Sequence, residues 1–518
     1  MKKRLVSILL FILLTIFTVQ GIAEIALPIV EEPITLRIAV ARHSSDAMEN
    51  FNDKFIFAKA QEETNIQIEW IPITEGNEEN VAVLLAGDLP DVFIGLLSDS
   101  QIADNTSLFV PLEEQIAQLC PDIISTYAEH VEGWEDFLTY PDGHIYGLMG
   151  NYLFSPSNSI AGTMWINKVW LENLNLEVPT NIAELREVLI AFRDNDADGD
   201  GDVSNEIPLD FCQKHYSATT NELKYSFGIP GSYDIVDGKV IPTVNTEDYR
   251  AFLEYYHALC SEGLANIEGL SQTEEQYFAN LSNMKVGAFW GWAPYTFISD
   301  PVLQEQYVCV GPLSAEGYTF RVAPNNLTAN RNCFVVTKEC KNVDAALQWW
   351  NYLSKDLLTA TSARSGPEGL TWYIKDGEVY SRAYTKEDAI EYGYESLASQ
   401  AGTSTFAASM GLTNCPPLIV QSPIPELGTT AFVRKEAVVL YEPYFTEQVM
   451  SKAIVPTENQ EEFDFTCENI DQYIEAFASE SILNGVTDES WNAYVAQLTQ
   501  LNYDFYIQWY QDYFDGAF

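Results

Sequence analysis

Ile34-Thr35-Leu36-Arg37-Ile38-Ala39-Val40, a helical stretch over 46–62, Ile66-Gln67-Ile68-Glu69-Trp70, a second helical stretch to Leu85, and Asp91-Val92-Phe93-Ile94-Gly95: this run decides the fold class. Ile34, Leu36, Ile38 and Val40 alternate with Thr35, Arg37 and Ala39, the period of a strand with one buried face. Between 46 and 62, Met48, Phe51, Phe55 and Ala58 recur at helical spacing. Ile66, Ile68 and Trp70 alternate again. Strands separated by helical runs predict crossover units and a mainly parallel sheet, hence an α/β fold. Ligands on such sheets sit beyond the carboxyl ends of the strands. The loops after Val40 and Leu96 are therefore ligand loops, and Asp46 and Asp99 on them are candidate acceptors for ligand hydroxyls.

Farther along, Asp142-Gly143, Asp237-Gly238 and Asp376-Gly377 each lie between β-prone stretches and predict hairpin turns. Asn181 and Glu184 form a pair like a capping box ahead of the apolar face Ile182, Leu185, Leu189, Phe192. Strand-like runs return near Phe289 and Phe334. The last fifty residues are helical, with Trp491, Val495, Leu498, Asn502 and Phe505 at threes and fours.

Lys2, Lys3 and Arg4, the apolar run Leu5–Val19, and the small residues Gly21 and Ala23 have the layout of a cleaved secretory signal over residues 1–23. No cysteine precedes Cys120, so no lipid attachment is expected there. The product would be exported, to the outer face of the cytoplasmic membrane or beyond. Its size calls for two or three domains. The formal net charge of −48 repels nucleic acid and anionic lipid surfaces. Among the eight cysteines, Cys333 and Cys340 flank a strand-like run that would hold them roughly 23 Å apart, so they should not pair with each other.

The sharpest motif is Asp194-Asn195-Asp196-Ala197-Asp198-Gly199-Asp200-Gly201-Asp202-Val203-Ser204-Asn205-Glu206. Oxygen ligands at alternate positions with a glycine at the sixth are what a Ca²⁺ loop needs. A register starting at Asp196 makes Asp196, Asp198, Asp200, Asp202 (through its carbonyl) and Glu206 the ligands. Gly201 takes the bend and Val203 ties the loop to a core. A start at Asp194 instead puts Gly199 at the sixth position and leaves Gly201 at the eighth. The loop follows directly on the helix ending at Phe192, so the ion's expected role is structural; without it four or five carboxylates this close would repel one another.

Several stretches together resemble the extracellular solute-binding protein family 1. Glu63–Trp70 and Leu85-Ala86-Gly87-Asp88-Leu89-Pro90-Asp91-Val92-Phe93 resemble its second strand and its Gly-Asp-x-Pro-Asp signature. Gly143–Leu148 resembles the hairpin before the first crossing between lobes. Trp165-Ile166-Asn167-Lys168-Val169-Trp170-Leu171 with Pro179–Leu185 resembles the start of the second lobe. The acidic loop ending in Glu206-Ile207-Pro208 sits where alginate-binding relatives carry a structural Ca²⁺, though it is one residue longer before Glu206. Trp491–Leu498 and Tyr510-Gln511-Asp512 resemble its C-terminal helices. The lipobox cysteine usual in Gram-positive relatives is missing.

The resemblance implies a two-lobed type II periplasmic-binding-protein-like fold with extra C-terminal helices. Lobe 1 would comprise 30–160 plus about 325–400, and lobe 2 161–324 plus about 401–518. It also implies a ligand held in the cleft, closure on binding, and docking of a monomer on the permease of an ABC importer.

Sugar recognition uses an aromatic face against the C–H face of a ring, with amide and carboxylate partners for hydroxyls. Trp290 and Trp292 in Phe289-Trp290-Gly291-Trp292-Ala293-Pro294-Tyr295, Trp372 and Tyr373 after Gly366-Pro367-Glu368-Gly369, and Tyr152 are the candidate platforms. Trp349 and Trp350 lie in a helical run and at least one belongs to the core. No HExxH, GxSxG, GxxxxGK or GxGxxG occurs. The reading is a binder of oligosaccharides and not an enzyme. A secreted glycoside hydrolase, which needs only two placed carboxylates, and a peptide binder are the alternatives.

Overall fold

A computed structural model describes residues 26–515 apart from 43–45, 47, 49, 75–78, 132, 151–159, 299, 325–329, 383, 395–411, 413–416, 418–422, 427–429, 449 and 451–456. The proposed signal 1–23 and Tyr152 lie outside the described residues.

The opening run folds as its periods dictate. Ile34–Arg42 (β1) pairs in parallel with Ile66–Thr74 (β2) and with Val92–Ile94 (β3). The helix between β1 and β2 starts later than the spacing suggests. A 3-10 turn covers Phe51–Asp53 and the α-helix runs Phe55–Thr64, burying Ile56, Phe57 and Ala60 and leaving Phe55 exposed. Asn330–Val336, here β11, inserts antiparallel beside β3, and Gly147–Gly150 (β4) closes that edge, giving the order β2-β1-β3-β11-β4. The core beneath is aromatic: Phe57 meets Trp70 at 4.7 Å and Phe334 stacks on Trp350 at 4.9 Å. Trp349 and Trp350 are both buried there.

The second sheet has the order β10-β5-β9-β6, where β5 is Thr163–Asn167, β6 Ile207–Asp210, β9 Val286–Gly291 and β10 Tyr307–Cys309. Only β6 and β9 are parallel; β5 runs antiparallel to both β9 and β10. The expectation of mainly parallel sheets is thus corrected to mixed ones. Short crossovers impose parallel neighbours on β1, β2 and β3. Strands such as β11, which return from a long excursion through the other sheet, are free of that constraint.

Two of the three Asp-Gly turns form regular hairpins. Tyr233–Val236 pairs with Lys239–Pro242 (β7 and β8), and Trp372–Lys375 with Glu378–Ser381 (β12 and β13). Asp237, Gly238, Asp376 and Gly377 all take positive φ, as the tight turn requires. At Asp142-Gly143 only a single bridge, Thr139 to Ile145, forms. The helix Ile182–Asp194 is capped by Asn181, which accepts from Glu184 N; Glu184 itself reaches back to Thr180 rather than to Asn181. Cys340 is a free thiol and Cys333 is disulfide-bonded, so the two do not pair. No helix among the described residues is long and apolar enough to cross a membrane.

The helix Ile182–Asp194 presses on β9 where Gly287 has no side chain. A Cβ there would lie 2.8 Å from Phe192 Cε2 and 2.9 Å from Trp170 Cε3, closer than packed carbons tolerate. Gly287→Ala is therefore expected to cost about 1–3 kcal/mol. Urea unfolding with an unchanged midpoint would contradict this account of the contact.

Candidate functional site

In each sheet the loops that follow the strands of common direction gather at one edge, opposite to where β5 and β11 end. In the second sheet that edge holds the carboxyl ends of β6 and β9 and, because β5 is antiparallel, the start of β5. Trp290 and Trp292 diverge there. Trp290 is the last large residue of β9 and is buried in the core, its carbonyl accepting from Tyr277 Oη. Gly291 ends the strand, and Trp292 emerges half-buried, its Nε1 donating to Tyr295 Oη at 2.9 Å.

Arg434, on the helix Thr430–Val439, lays its guanidinium 4.2 Å from the centre of the Trp292 ring. It donates to Trp292 O at 3.1 Å, to Thr163 Oγ1 at 3.3 Å and to Ile160 O. Burial lowers its pKa to about 10, so it stays cationic at neutral pH. The loop after β6 adds Tyr216, 64% exposed and close enough to Arg434 for the positive charge to act on its hydroxyl. His215 beside it is buried among Tyr277, Phe278 and Phe297, and burial drives its pKa down to about 4. Tyr216, Tyr295 and Arg434 escaped the sequence reading. The first two carry no pattern in an aromatic-rich chain, and Arg434 is more than a hundred residues from its partners.

The corresponding edge of the first sheet holds the ends of β1, β3 and β4 and the start of β11. Asp46 lies after β1 but is buried: Oδ2 meets Lys54 Nζ at 2.5 Å, Oδ1 accepts from Met48 N, and its carbonyl accepts from Arg42. Lys54 is itself fully buried, which lowers its pKa against the raising effect of Asp46. Asp99 heads the short helix after β3. Its Oδ1 accepts from Asn332 Nδ2 at 2.7 Å and lies 3.6 Å from Arg331 Nε. Trp372 is buried, donating from Nε1 to Gly366 O. Tyr373 is half-buried, stacked on Tyr380 at 5.5 Å, with its hydroxyl on Glu426. Leu370, Ala389 and Tyr394 pack with Met48, so this segment covers the loop after β1. Burial leaves Trp290 and Trp372 no open ring face. Trp292 and Tyr373 are half-buried and Tyr216 is exposed.

The acidic loop ends where β6 begins. One carboxylate oxygen each from Asp196, Asp198 and Glu206 lie within 4.8 Å of one another. Asp196 accepts from Gly199 N and Gly201 N, and both glycines take positive φ. Glu206 Oε1 accepts from Ala197 N at 3.0 Å, while Oε2 is buried and takes no hydrogen bond among the described residues. Desolvation, then the charges of Asp198 and Asp196, raise the pKa of Glu206. Asp200 and Asp202 stand outside the trio. Asp200 accepts from Asp202 N and Asn205 Nδ2, and Asp202 from the amide and hydroxyl of Ser204. Val203 does not anchor the loop: it is exposed, and Ala197 is the buried residue, its carbonyl held by Asn173. Three clustered carboxylates with one buried oxygen left without a donor fit a hard cation that takes oxygen ligands.

Removing the buried cation opposite Asp46 leaves a carboxylate in a dry site. Lys54→Met is expected to cost about 3–5 kcal/mol; a urea midpoint close to wild type would show that the pair carries no such weight.

Comparison with known proteins identifies the family and the fold. Residues 44–356 match the model of the family described as bacterial extracellular solute-binding protein. The chain is 28% identical over 315 residues to the fructooligosaccharide ABC transporter substrate-binding protein FusA of Streptococcus pneumoniae serotype 4, an alignment spanning 58% of this chain and 57% of that relative. The fold matches FusA in complex with kestose at a TM-score of 0.80 and 22% identity, covering 93% of this chain and 99% of that one. An EF-hand mutant of FusA gives 0.79, with the same identity and coverage. The alginate-binding protein AlgQ2 without calcium ion gives 0.68 at 18% identity, covering 94% and 99%. These solved structures share the two-lobed α/β fold. The chain belongs to the bacterial extracellular solute-binding protein family, and is therefore exported.

Proposed function

We propose that the protein captures a neutral oligosaccharide between its two lobes and presents it, as a monomer at the outer face of the membrane, to the permease of an ABC-type importer. The observation that carries this reading is the edge of the second sheet. There a half-buried tryptophan, Trp292, is fixed by Arg434 and flanked by Tyr295 and the exposed Tyr216. A rigid ring face of this kind suits the C–H face of a sugar, and fixing it beforehand removes an ordering cost from binding. FusA, named for fructooligosaccharides, supports the substrate class. From the first lobe, the Asp99 carboxylate, oriented by buried Asn332, offers an acceptor for hydroxyls, and Tyr373 a further ring. Asp46 serves the fold through Lys54. The role is binding without conversion, so bound oligosaccharide should be recovered intact.

Lobe 1 in this reading comprises 30–160 and a second segment from about 325, lobe 2 the rest. Leu412 packs in the first core, which favours a return to lobe 2 beyond it rather than at 401. Asp196, Asp198 and Glu206 hold a Ca²⁺ whose role is structural; the EF-hand named for FusA and the calcium ion named for AlgQ2 support a cation in such a chain.

Calorimetry with kestose and nystose, and with short peptides as the competing class, tests the ligand. Trp292→Ala should weaken oligosaccharide binding by about 2 kcal/mol, roughly 30-fold in Kd. Binding of peptides alone, or full affinity in the variant, would sink the reading. For the cation, a chelator should lower the melting temperature of the Ca²⁺-loaded protein. Asp196→Asn should lower it without chelator and abolish the chelator's effect. An equal melting temperature with and without chelator in the wild type would remove calcium from the account.

A further inference from the structure

Among the C-terminal helices, the helix Thr457–Asn484 and the helix Asp488–Gln500 run side by side. Their inward faces are apolar: Ile470, Ile474 and Phe477 on one, Trp491, Tyr494 and Leu498 on the other, all in the second core. Their outer stripes face each other across an open groove of about 560 Å³, lined by Asn469, Gln472, Tyr473, Ala493, Gln497 and Leu501. That volume is in the range of small-molecule sites, about 300–1,000 Å³.

The lining stands out against the rest of the chain. With 75 acidic residues in 518, the chain is rich in carboxylates, yet none of the described residues lining this groove is ionised. Three of its six residues are carboxamides, which both donate and accept, as sugar hydroxyls do. Two of them are already steadied: Asn469 Nδ2 donates to Phe465 O and Gln472 Nε2 to Glu468, each one turn back. Tyr473 is half-buried and stacks on Tyr494 at 5.5 Å and 23°, and Tyr494 stacks in turn on Phe477 at 3.9 Å. The tyrosine ring is thereby held in place, and Ala493 opposite it leaves room for a ring above the floor.

We propose that this groove is a second carbohydrate site, separate from the cleft, that takes one or two units of a neutral glycan. Neutrality follows from the uncharged lining and from the net charge of −48, which repels anionic polymers. The inference rests on no part of the cleft reading.

Native electrophoresis in gels cast with glucan, mannan, xylan, levan or inulin tests it, using wild type, Trp292→Ala, Tyr473→Ala and Gln497→Glu. At least one polymer should slow the wild type and Trp292→Ala alike. Tyr473→Ala and Gln497→Glu should raise the apparent dissociation constant for that polymer at least tenfold. Gln497→Glu keeps the size of the side chain and serves should Tyr473→Ala unfold. The proposal falls if no polymer slows the wild type, if the slowing survives both groove substitutions, or if Trp292→Ala abolishes it. Calorimetry of kestose in the cleft is unaffected by any of these outcomes, so the two readings fail separately.

Discussion

The guanidinium of Arg434 holds together the edge of the second sheet from which Trp292 emerges. A cation as fully buried as this one costs several kcal/mol unless acceptors surround it. The acceptors found are the carbonyls of Ile160 and Trp292 and the hydroxyl of Thr163, with the face of Trp292 completing the shell. Each belongs to a different part of that edge: the approach to β5, its first residue, and the turn after β9. The helix carrying Arg434 thereby fixes where two strands begin and end, and a turn of the Trp292 ring would give up its contact with the charge. With a pKa lowered only to about 10, the side chain cannot shed its proton to escape that cost near neutrality.

Much of the fold was legible because its signals are local. The alternation in Ile34–Val40 and Ile66–Trp70, the Asp-Gly turns at 237 and 376, and the Asn181 cap each act over a few residues, and each formed. What failed needed distant partners. Strand direction in β4, β5 and β11 is settled by which sheet the chain returns to, and no period of two encodes that. Asp210 shows the same limit: it is a carboxylate in a buried strand, satisfied by Asn266, Gln272 and Asn280 from 56 to 70 residues away. From sequence alone it is one acid among 75.

The aromatic pairs were half legible for a related reason. Trp290 and Trp292 share a motif, as do Trp372 and Tyr373, and chemistry alone assigns both members of a pair to the ligand. Burial separates them. Trp290 is still inside β9 when the strand is covered on both faces, whereas Gly291 releases Trp292 from the ladder. Trp372 and Tyr373 are neighbours in β12, so the pleat sends them to opposite faces, one into the core and one against Tyr380. Residue type identified the chemistry available; the end of a strand and the period of two decided which copy of it remains accessible.

The position of the acidic loop fixes what a cation there could do. The loop enters β6 at its amino end, and the ligand edge lies at its carboxyl end, four residues and about 13 Å farther on. A cation held by Asp196, Asp198 and Glu206 would thus lie at the opposite end of the strands from Trp292. It would act on the core. Ala197 is buried beside it, Asn173 grips the Ala197 carbonyl, and Phe192 at the preceding helix end seats against Gly287 of β9. A cation bound in the loop would therefore steady the strand whose far end releases Trp292, through the packing of that strand.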